Sequence, residues 1–414
     1  MGPRLAFPRP ATLLPVLIVI AACGPSPAGI GPSGPSPGRS APATQRASPT
    51  PSPTPSPSPT PPPRPPAIRD EVVQSRLIVP WDIAFAPDGR MFVTERVGNV
   101  LVFASGDTGA PRIANLAVDA VQSNNTGKNE SGLMGIALDP AFAGNGLIYV
   151  CATRADPEAG GVMNQVLRYR FDGGAWTFDR YVIRTGMRAG AAHDGCRIRF
   201  DRTGKLWITM GESGIGALAQ DPNSLNGKLL RINADGTIPE DNPTLPGAAA
   251  RSAAYSWGHR NPQGIAFSGD RVYDVEHGED DDDEINLIEP GANYGWPIVH
   301  QTGGAARGMK DPLWSSGNVT FATAGATFVS GFPWGSWSGS LFVAALKDES
   351  LRRFTADGTS VAPQEVLLRG KYGRLRAAVQ GPDGALYLTT SNRDGRAAPS
   401  SADDRIVRVV ASQP

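Results

Sequence analysis

The sequence predicts an all-β chain folded as a six-bladed β-propeller, and three observations carry that expectation. One hairpin pattern recurs six times, the copies sit roughly 50–70 residues apart, and helical periodicity is weak throughout. Each copy has a short apolar strand, a polar turn usually holding Asp-Gly or Gly, and a second strand ending in Thr or a charged residue. Alternating apolar and polar residues around such turns mark hairpins of half-buried strands. Two packed sheets would leave the sixfold recurrence unexplained, whereas propeller blades require it.

The copies follow in order. Residues 81–95 read WDIAFAPDGRMFVTE, 132–153 read GLMGIALDPAFAGNGLIYVCAT, and 193–212 read HDGCRIRFDRTGKLWITMGE. Residues 263–277 read QGIAFSGDRVYDVEH, 325–347 form a looser copy ending in LFVAALK, and 376–392 read RAAVQGPDGALYLTTSN. In a propeller the loops of one face converge on the central channel, so residues distant in sequence can meet there.

Composition sets outer limits. The 414 residues allow one large or two ordinary domains. Lys plus Arg and Asp plus Glu balance at 39 each, which removes any overall pull toward nucleic acid and makes charge chemistry local. Much of the proline falls before residue 67, in repeats such as Pro51-Ser52-Pro53-Thr54-Pro55. With few apolar residues to offset ordering entropy, residues 23–67 are expected to be an extended, disordered spacer. Residues 1–22 read as a processing signal, with Arg4 and Arg9 ahead of a short apolar core. Its end, Ile20-Ala21-Ala22-Cys23, resembles a bacterial lipobox, which would leave a lipidated Cys23 anchoring an extracytoplasmic protein; an ordinary signal peptide or a buried apolar helix is the alternative. Cys151 and Cys196 then remain for the folded region, residues 68–414, and their pairing stays open.

Four places could carry chemistry. His193, just before a strand in Ala192-His193-Asp194-Gly195, is one of only four histidines and can move a proton near neutral pH. Arg260 and Asn261 lie in Gly258-His259-Arg260-Asn261-Pro262-Gln263-Gly264, where Pro262 restrains the backbone ahead of a strand. Arg374 and Arg376 alternate on an extended segment, so both guanidiniums share a face and call for an anion between them. The acidic run from Glu279 to Glu284 lacks the glycine an EF-hand needs at its sixth position and reads first as a solvated loop.

These segments, with Glu276-His277-Gly278 and Asn293-Tyr294-Gly295-Trp296-Pro297, resemble in order and spacing the soluble glucose and aldose sugar dehydrogenases that use pyrroloquinoline quinone (PQQ) and calcium. The resemblance spans roughly residues 72–412. It implies that His193 is the general base, matched also by Gly195, Arg197 and Ile198. It implies that Arg260 polarises the reactive quinone carbonyl, and that Asn261, Thr320, Lys347, Arg374 and Arg376 hold the cofactor. Glu130 would contact substrate. Carbonyls of Gly278 and Glu279 would bind the calcium that bridges PQQ, and the Glu284 carboxylate with the Tyr294 carbonyl a structural calcium. Two positions depart from the glucose-dehydrogenase branch: Glu279 replaces Pro, and Ala192 replaces the Asp before the histidine.

The implied reaction is oxidation of an aldose hydroxyl to a lactone, with electrons passing from reduced cofactor to a quinone or cytochrome. The competing readings are a calcium-stabilised binding propeller and a lactonase-type hydrolase. Neither has an evident use for an anion cradle made by Lys347, Arg374 and Arg376.

Overall fold

The computed structural model of the chain describes residues 64–106, 109–116 and 130–413. The expected signal segment, Cys23 and the spacer as far as residue 63 lie outside them. Among the described residues, the strands form six four-stranded antiparallel sheets, the expected propeller.

The innermost strands of blades 1 to 6 are Pro80–Phe85, Leu133–Leu138, Ile198–Phe200, Pro262–Ser268, Thr323–Phe328 and Leu375–Gln380. Each repeat seen in the sequence supplies the first two strands of one blade, the hairpin nearest the channel. Successive blades pack through these inner strands, with blade 3 reaching blade 4 through its second strand, and blade 6 returns to blade 1. The ring closes through a strand the repeats did not reveal. Ala67–Gln74 pairs antiparallel with Ile406–Ser412 and becomes the outer strand of blade 6. Its largely exposed sequence AIRDEVVQ has no apolar face of the kind that marks the inner hairpins.

Apolar side chains fill the wedge between each successive pair of blades. Phe92, Ile136 and Phe171 pack between blades 1 and 2, for example, and Trp334, Phe342 and Leu386 between blades 5 and 6. The Asp-Gly turns work as their composition suggests. Gly89 has φ 85°, and the preceding Asp88 carboxylate accepts from the Arg90 amide at 3.1 Å.

Cys151 and Cys196 are joined in a disulfide. It ties the second strand of blade 2 to the loop leading into blade 3, and closing a loop of 45 residues contributes about 4 kcal/mol in the chain-entropy picture. That loop carries His193.

A polar hub sits among the apolar wedges. Arg197, fully buried, donates to Asp82 Oδ1 at 2.5 Å, to the Gln263 carbonyl at 2.6 Å and to the Arg376 carbonyl at 3.5 Å. Its guanidinium lies 4.4 Å from the Trp81 ring. Arg199 grips both Asp82 oxygens at 2.7 Å. Burial would raise the Asp82 carboxyl, but Arg197 and Arg199 override it and hold the group below the usual carboxylate range. Burial likewise pulls Arg197 down to about 10, with Asp82 opposing. One arginine thereby links blades 1, 3, 4 and 6 across the channel.

Candidate active site

In an antiparallel hairpin the start of the first strand and the end of the second lie at the same end. Six hairpins around a ring therefore bring twelve such ends onto one face, and the expected site residues occupy them. Glu130, His193, Arg260, Asn261, Thr320 and Arg374 precede inner strands, Arg376 lies within one, and Glu279 and Lys347 follow second strands. All nine line one cavity of about 360 Å³. A larger concavity, about 670 Å³, lies by the hairpin turns at the opposite end, around Asp88, Arg90 and Phe142. Its charged lining residues are Asp88, Arg90, Arg170 and Asp172, and none of the expected site residues is among them, so the smaller cavity is the candidate site.

His193 stands at its wall with φ 60°, the left-handed region that non-glycine residues adopt rarely and keep where neighbours enforce it. They do so here. The His193 amide donates to Glu130 Oε2 at 2.8 Å, and its carbonyl accepts from the Ser213 amide at 3.2 Å. Gly211 is glycine because a Cβ there would come within 2.1 Å of the His193 carbonyl oxygen. The imidazole Nδ1 lies 2.6 Å from Glu212 Oε1, whose side chain is only 3% exposed. A carboxylate in that place accepts a hydrogen bond from Nδ1–H and leaves Nε2 as the basic nitrogen.

Glu212 is a candidate functional residue that the sequence does not single out, since the carboxylate is not adjacent to the histidine but 19 residues beyond it. The signal was present: Glu212 ends its repeat unit at the place where Lys347 ends another.

Asp194, next in the chain, faces the interior. Its Oδ1 accepts from the Gly190 amide at 2.8 Å and Asn164 Nδ2 at 3.2 Å, while Oδ2 is buried without a partner. Burial pushes this carboxyl up to about 7, opposed by the Gly190 amide and reinforced by Glu130 and Glu212. The folded state thus holds a proton that the unfolded chain, near 3.8, releases. The contribution of this group to stability is therefore full below about pH 4, falls by about 1.4 kcal/mol per unit to about pH 7, and is level above. Asp194→Asn should raise the melting temperature by a few degrees at pH 8 and leave it little changed at pH 4. Equal shifts at both values in calorimetric melts would refute the assignment.

The arginine pair behaves differently from expectation. Arg374 and Arg376 do share a face, but the protein already supplies an anion between them. Asp394 Oδ2 accepts from Arg374 Nε at 3.1 Å and Nη2 at 3.0 Å, and from Arg376 Nη2 at 3.4 Å. Burial would raise Asp394, yet Arg376 and Arg374 hold it low; burial brings Arg376 down to about 9 against the pull of Asp394. One carboxylate against two guanidiniums, with Lys347 beside them, leaves this wall cationic. The floor carries two orphaned buried atoms, Arg260 Nε and Asn261 Oδ1.

Thr320 is engaged within the protein, donating to Asp283 Oδ1 at 3.0 Å. Asp283 is fully buried and also accepts from the Gly278 and Phe321 amides at 3.0 and 2.6 Å. The acidic run is thus only partly a solvated loop: Glu279 and Asp280 are exposed at the cavity, whereas Asp282 and Asp283 are buried. Its path is tight at Gly278, where a Cβ would meet the Asp281 carbonyl oxygen at 1.9 Å.

Gly278, Glu279, Glu284 and Tyr294 come together around a second, much smaller cavity of about 20 Å³, shared with Glu276 and Asp282. Burial raises the Glu284 carboxyl well above its ordinary value, and Glu276 and Asp282 add to this. Nearby Asp274 is fully buried, accepts no hydrogen bond, and has Oδ2 3.6 Å from His259 Nδ1. Hard oxygen donors so crowded suit a divalent cation of calcium type. The Gly278 carbonyl is less open, since it accepts from Arg260 Nη1 at 2.6 Å and His277 Nδ1 at 2.7 Å.

Lys228, the first residue of the third strand of blade 3, locks the chain ahead of it. Lys228 Nζ donates to the carbonyls of Leu218, Ala219 and Asn226 at 2.9, 3.1 and 2.7 Å.

Residues 77–399, which contain the whole cavity lining, match the glucose/sorbosone dehydrogenase family. The chain belongs to that family. Its place there makes it an oxidoreductase of the sugar-dehydrogenase propeller type. The aldose sugar dehydrogenase of Escherichia coli K12 is 31% identical over 345 residues, 78% of this chain and 90% of that one. Quinoprotein glucose dehydrogenase B of Acinetobacter calcoaceticus is 30% identical over 308 residues, 67% and 63% of the two chains. The PQQ-bound aldose sugar dehydrogenase of Streptomyces coelicolor superposes with a TM-score of 0.72 at 34% identity, covering 84% of this chain and all of the other. Among the described residues no helix is long and apolar enough to cross a membrane.

Proposed function

We propose that this dehydrogenase oxidises aldoses to lactones with PQQ and calcium. The observation that carries the reading is the single cavity in which a carboxylate-oriented histidine, His193, faces a cationic wall of Lys347, Arg374 and Arg376. PQQ is a flat acid with three carboxylates, and a cationic wall with orphaned Arg260 and Asn261 atoms at the floor fits such a group. When bound, PQQ would supply the hydride acceptor and calcium the Lewis acid.

The chain's own residues do the remainder. Glu212 orients the imidazole, and His193 Nε2 takes the proton of the sugar's anomeric hydroxyl as the C1 hydrogen leaves with its electron pair. Arg260 directs its cation to the oxygen where negative charge develops. Glu276 holds that arginine in place: its Oε1 accepts from the Arg260 amide and, at 3.1 Å, from the Asn261 amide. Glu130 stands beside His193 to receive sugar hydroxyls. We extend the reading to a Cys23-anchored protein outside the cytoplasm that passes electrons to a quinone or cytochrome.

Reconstitution tests it. Purified protein stripped of metal should reduce a dye with glucose or another aldose only after calcium and PQQ are both added. Absence of PQQ binding in the presence of calcium would overturn the proposal.

A further inference from the structure

His259 and Asp274 have no part in the reaction proposed above, and Glu276 lends it only one oxygen. Asp274 and Glu276 alternate on the second strand of blade 4, Arg271–Glu276, so both side chains leave the same face. His259 enters from the connection between blades 3 and 4 and meets them there. All three are buried, and one ligating atom of each lies within 4.8 Å of the others.

Each member is held with an atom left over. His259 Nε2 is 2.9 Å from Ser256 Oγ, and the Tyr294 ring stacks on the imidazole with centres 4.7 Å apart, which keeps Nδ1 turned toward the acids. Glu276 Oε1 takes the Arg260 and Asn261 amides, and its Oε2 lies 2.9 Å from His259 Nδ1. Asp274 accepts no hydrogen bond, and its Oδ2 stands 3.6 Å from the same nitrogen, beyond hydrogen-bond reach. Asn286, directly across the ladder from Asp274, adds a buried Oδ1 that also accepts none. Buried acceptors are nearly always hydrogen-bonded, so unused oxygens gathered around one nitrogen call for a cation.

We propose that His259 Nδ1, Asp274 and Glu276 Oε2 form a structural site for a small divalent cation of the zinc type. Spacing sets the size of the ion. Bonds of about 2.1 Å set two ligands about 3.0 Å apart at a right angle and about 3.4 Å apart at the tetrahedral angle. The separations from Nδ1 are 2.9 and 3.6 Å. Calcium, with bonds of about 2.4 Å, needs about 3.4 Å even at a right angle, and it takes oxygen rather than imidazole nitrogen. The Ser256 hydroxyl on the far ring nitrogen is the kind of outer partner that orients a metal-bound histidine. Glu284, on which the expected structural calcium depends, is not one of the three ligands. Glu276 joins the ion to the Arg260 and Asn261 amides, so the metal braces that loop from behind.

The test uses the untagged full chain, stripped with a chelator and then kept in excess calcium, and titrates it with cobalt(II). One equivalent should bind with the visible absorption of an imidazole–carboxylate complex, be displaced by zinc, and raise the melting temperature. Asp274→Leu should weaken cobalt binding by at least the roughly 100-fold that even an outer-partner change can cause. The variant should stay folded, since the acid it removes accepts no hydrogen bond and Leu is of similar size; Asp274→Asn is the second variant if it does not. Glu284→Gln, which alters the expected calcium site, should leave cobalt binding in place. No cobalt uptake in the presence of calcium would mean that the cluster holds only a proton, and overturns the site. Uptake unchanged in the folded Asp274 variants, or lost in Glu284→Gln while those variants retain it, places the ion elsewhere and overturns it too.

Discussion

His193→Asn is expected to lower kcat of the reconstituted enzyme by about 10²- to 10⁴-fold while PQQ binding is retained. Asn is the apt replacement because it tolerates the left-handed backbone that His193 adopts at φ 60°. The substitution therefore removes the base without forcing the loop. Glu212→Gln should reproduce much of the loss, since a neutral amide that accepts the Nδ1–H hydrogen bond carries no charge to stabilise the charged ring. The two changes should not add, because both act on one proton transfer. Steady-state rates with saturating sugar, alongside a PQQ titration, separate the outcomes. Undiminished turnover in His193→Asn would remove His193 from the reaction, and lost PQQ binding would show that it holds the cofactor instead.

The largest effect on stability is expected at Asp82, which does not line the cavity. Asp82→Ala leaves Arg197, fully buried, and most of Arg199 without their shared anion. Removing one partner of a buried ion pair costs about 3–5 kcal/mol, because the other charge stays in a medium that cannot solvate it. Urea or thermal unfolding measures this directly. Asp82→Leu combined with Arg197→Met should recover a large part of the loss, as no unpaired charge remains at that pair. A loss below about 1 kcal/mol for Asp82→Ala would mean that water reaches the hub.

Arg197 also shows how the two halves of the molecule's design meet. Its neighbour in sequence, the segment holding His193, faces the cavity, while Arg197 itself ties four blades together. Catalytic geometry and ring closure are therefore fastened to the same short loop, which the Cys151–Cys196 disulfide secures to blade 2.

Much of this was legible in the linear chain. The inner hairpins repeat because each must present an apolar face to both neighbouring blades, so their pattern and number could be read off directly. Most of the cavity-lining residues could be named because the resemblance to a known family matched them one by one, and the hairpin repeats then put them at strand ends. What the sequence could not supply were the partners across blades. Asp394 is 18 residues beyond Arg376 and looks like an ordinary turn aspartate. Asp283 sat hidden in an acidic run, and the outer strand Ala67–Gln74 lacked any apolar repeat.

The sequence by itself determined the propeller, the hairpin units and the residue types around the channel, because local periodicity and turn chemistry dictate strands wherever they occur. Only the tertiary structure decided which charges meet. That Glu212 holds His193 and that Asp394 sits under two arginines both depend on ring closure. Burial then removes water from those pairs, and only without water does the identity of the neighbour set the protonation and strength of each group.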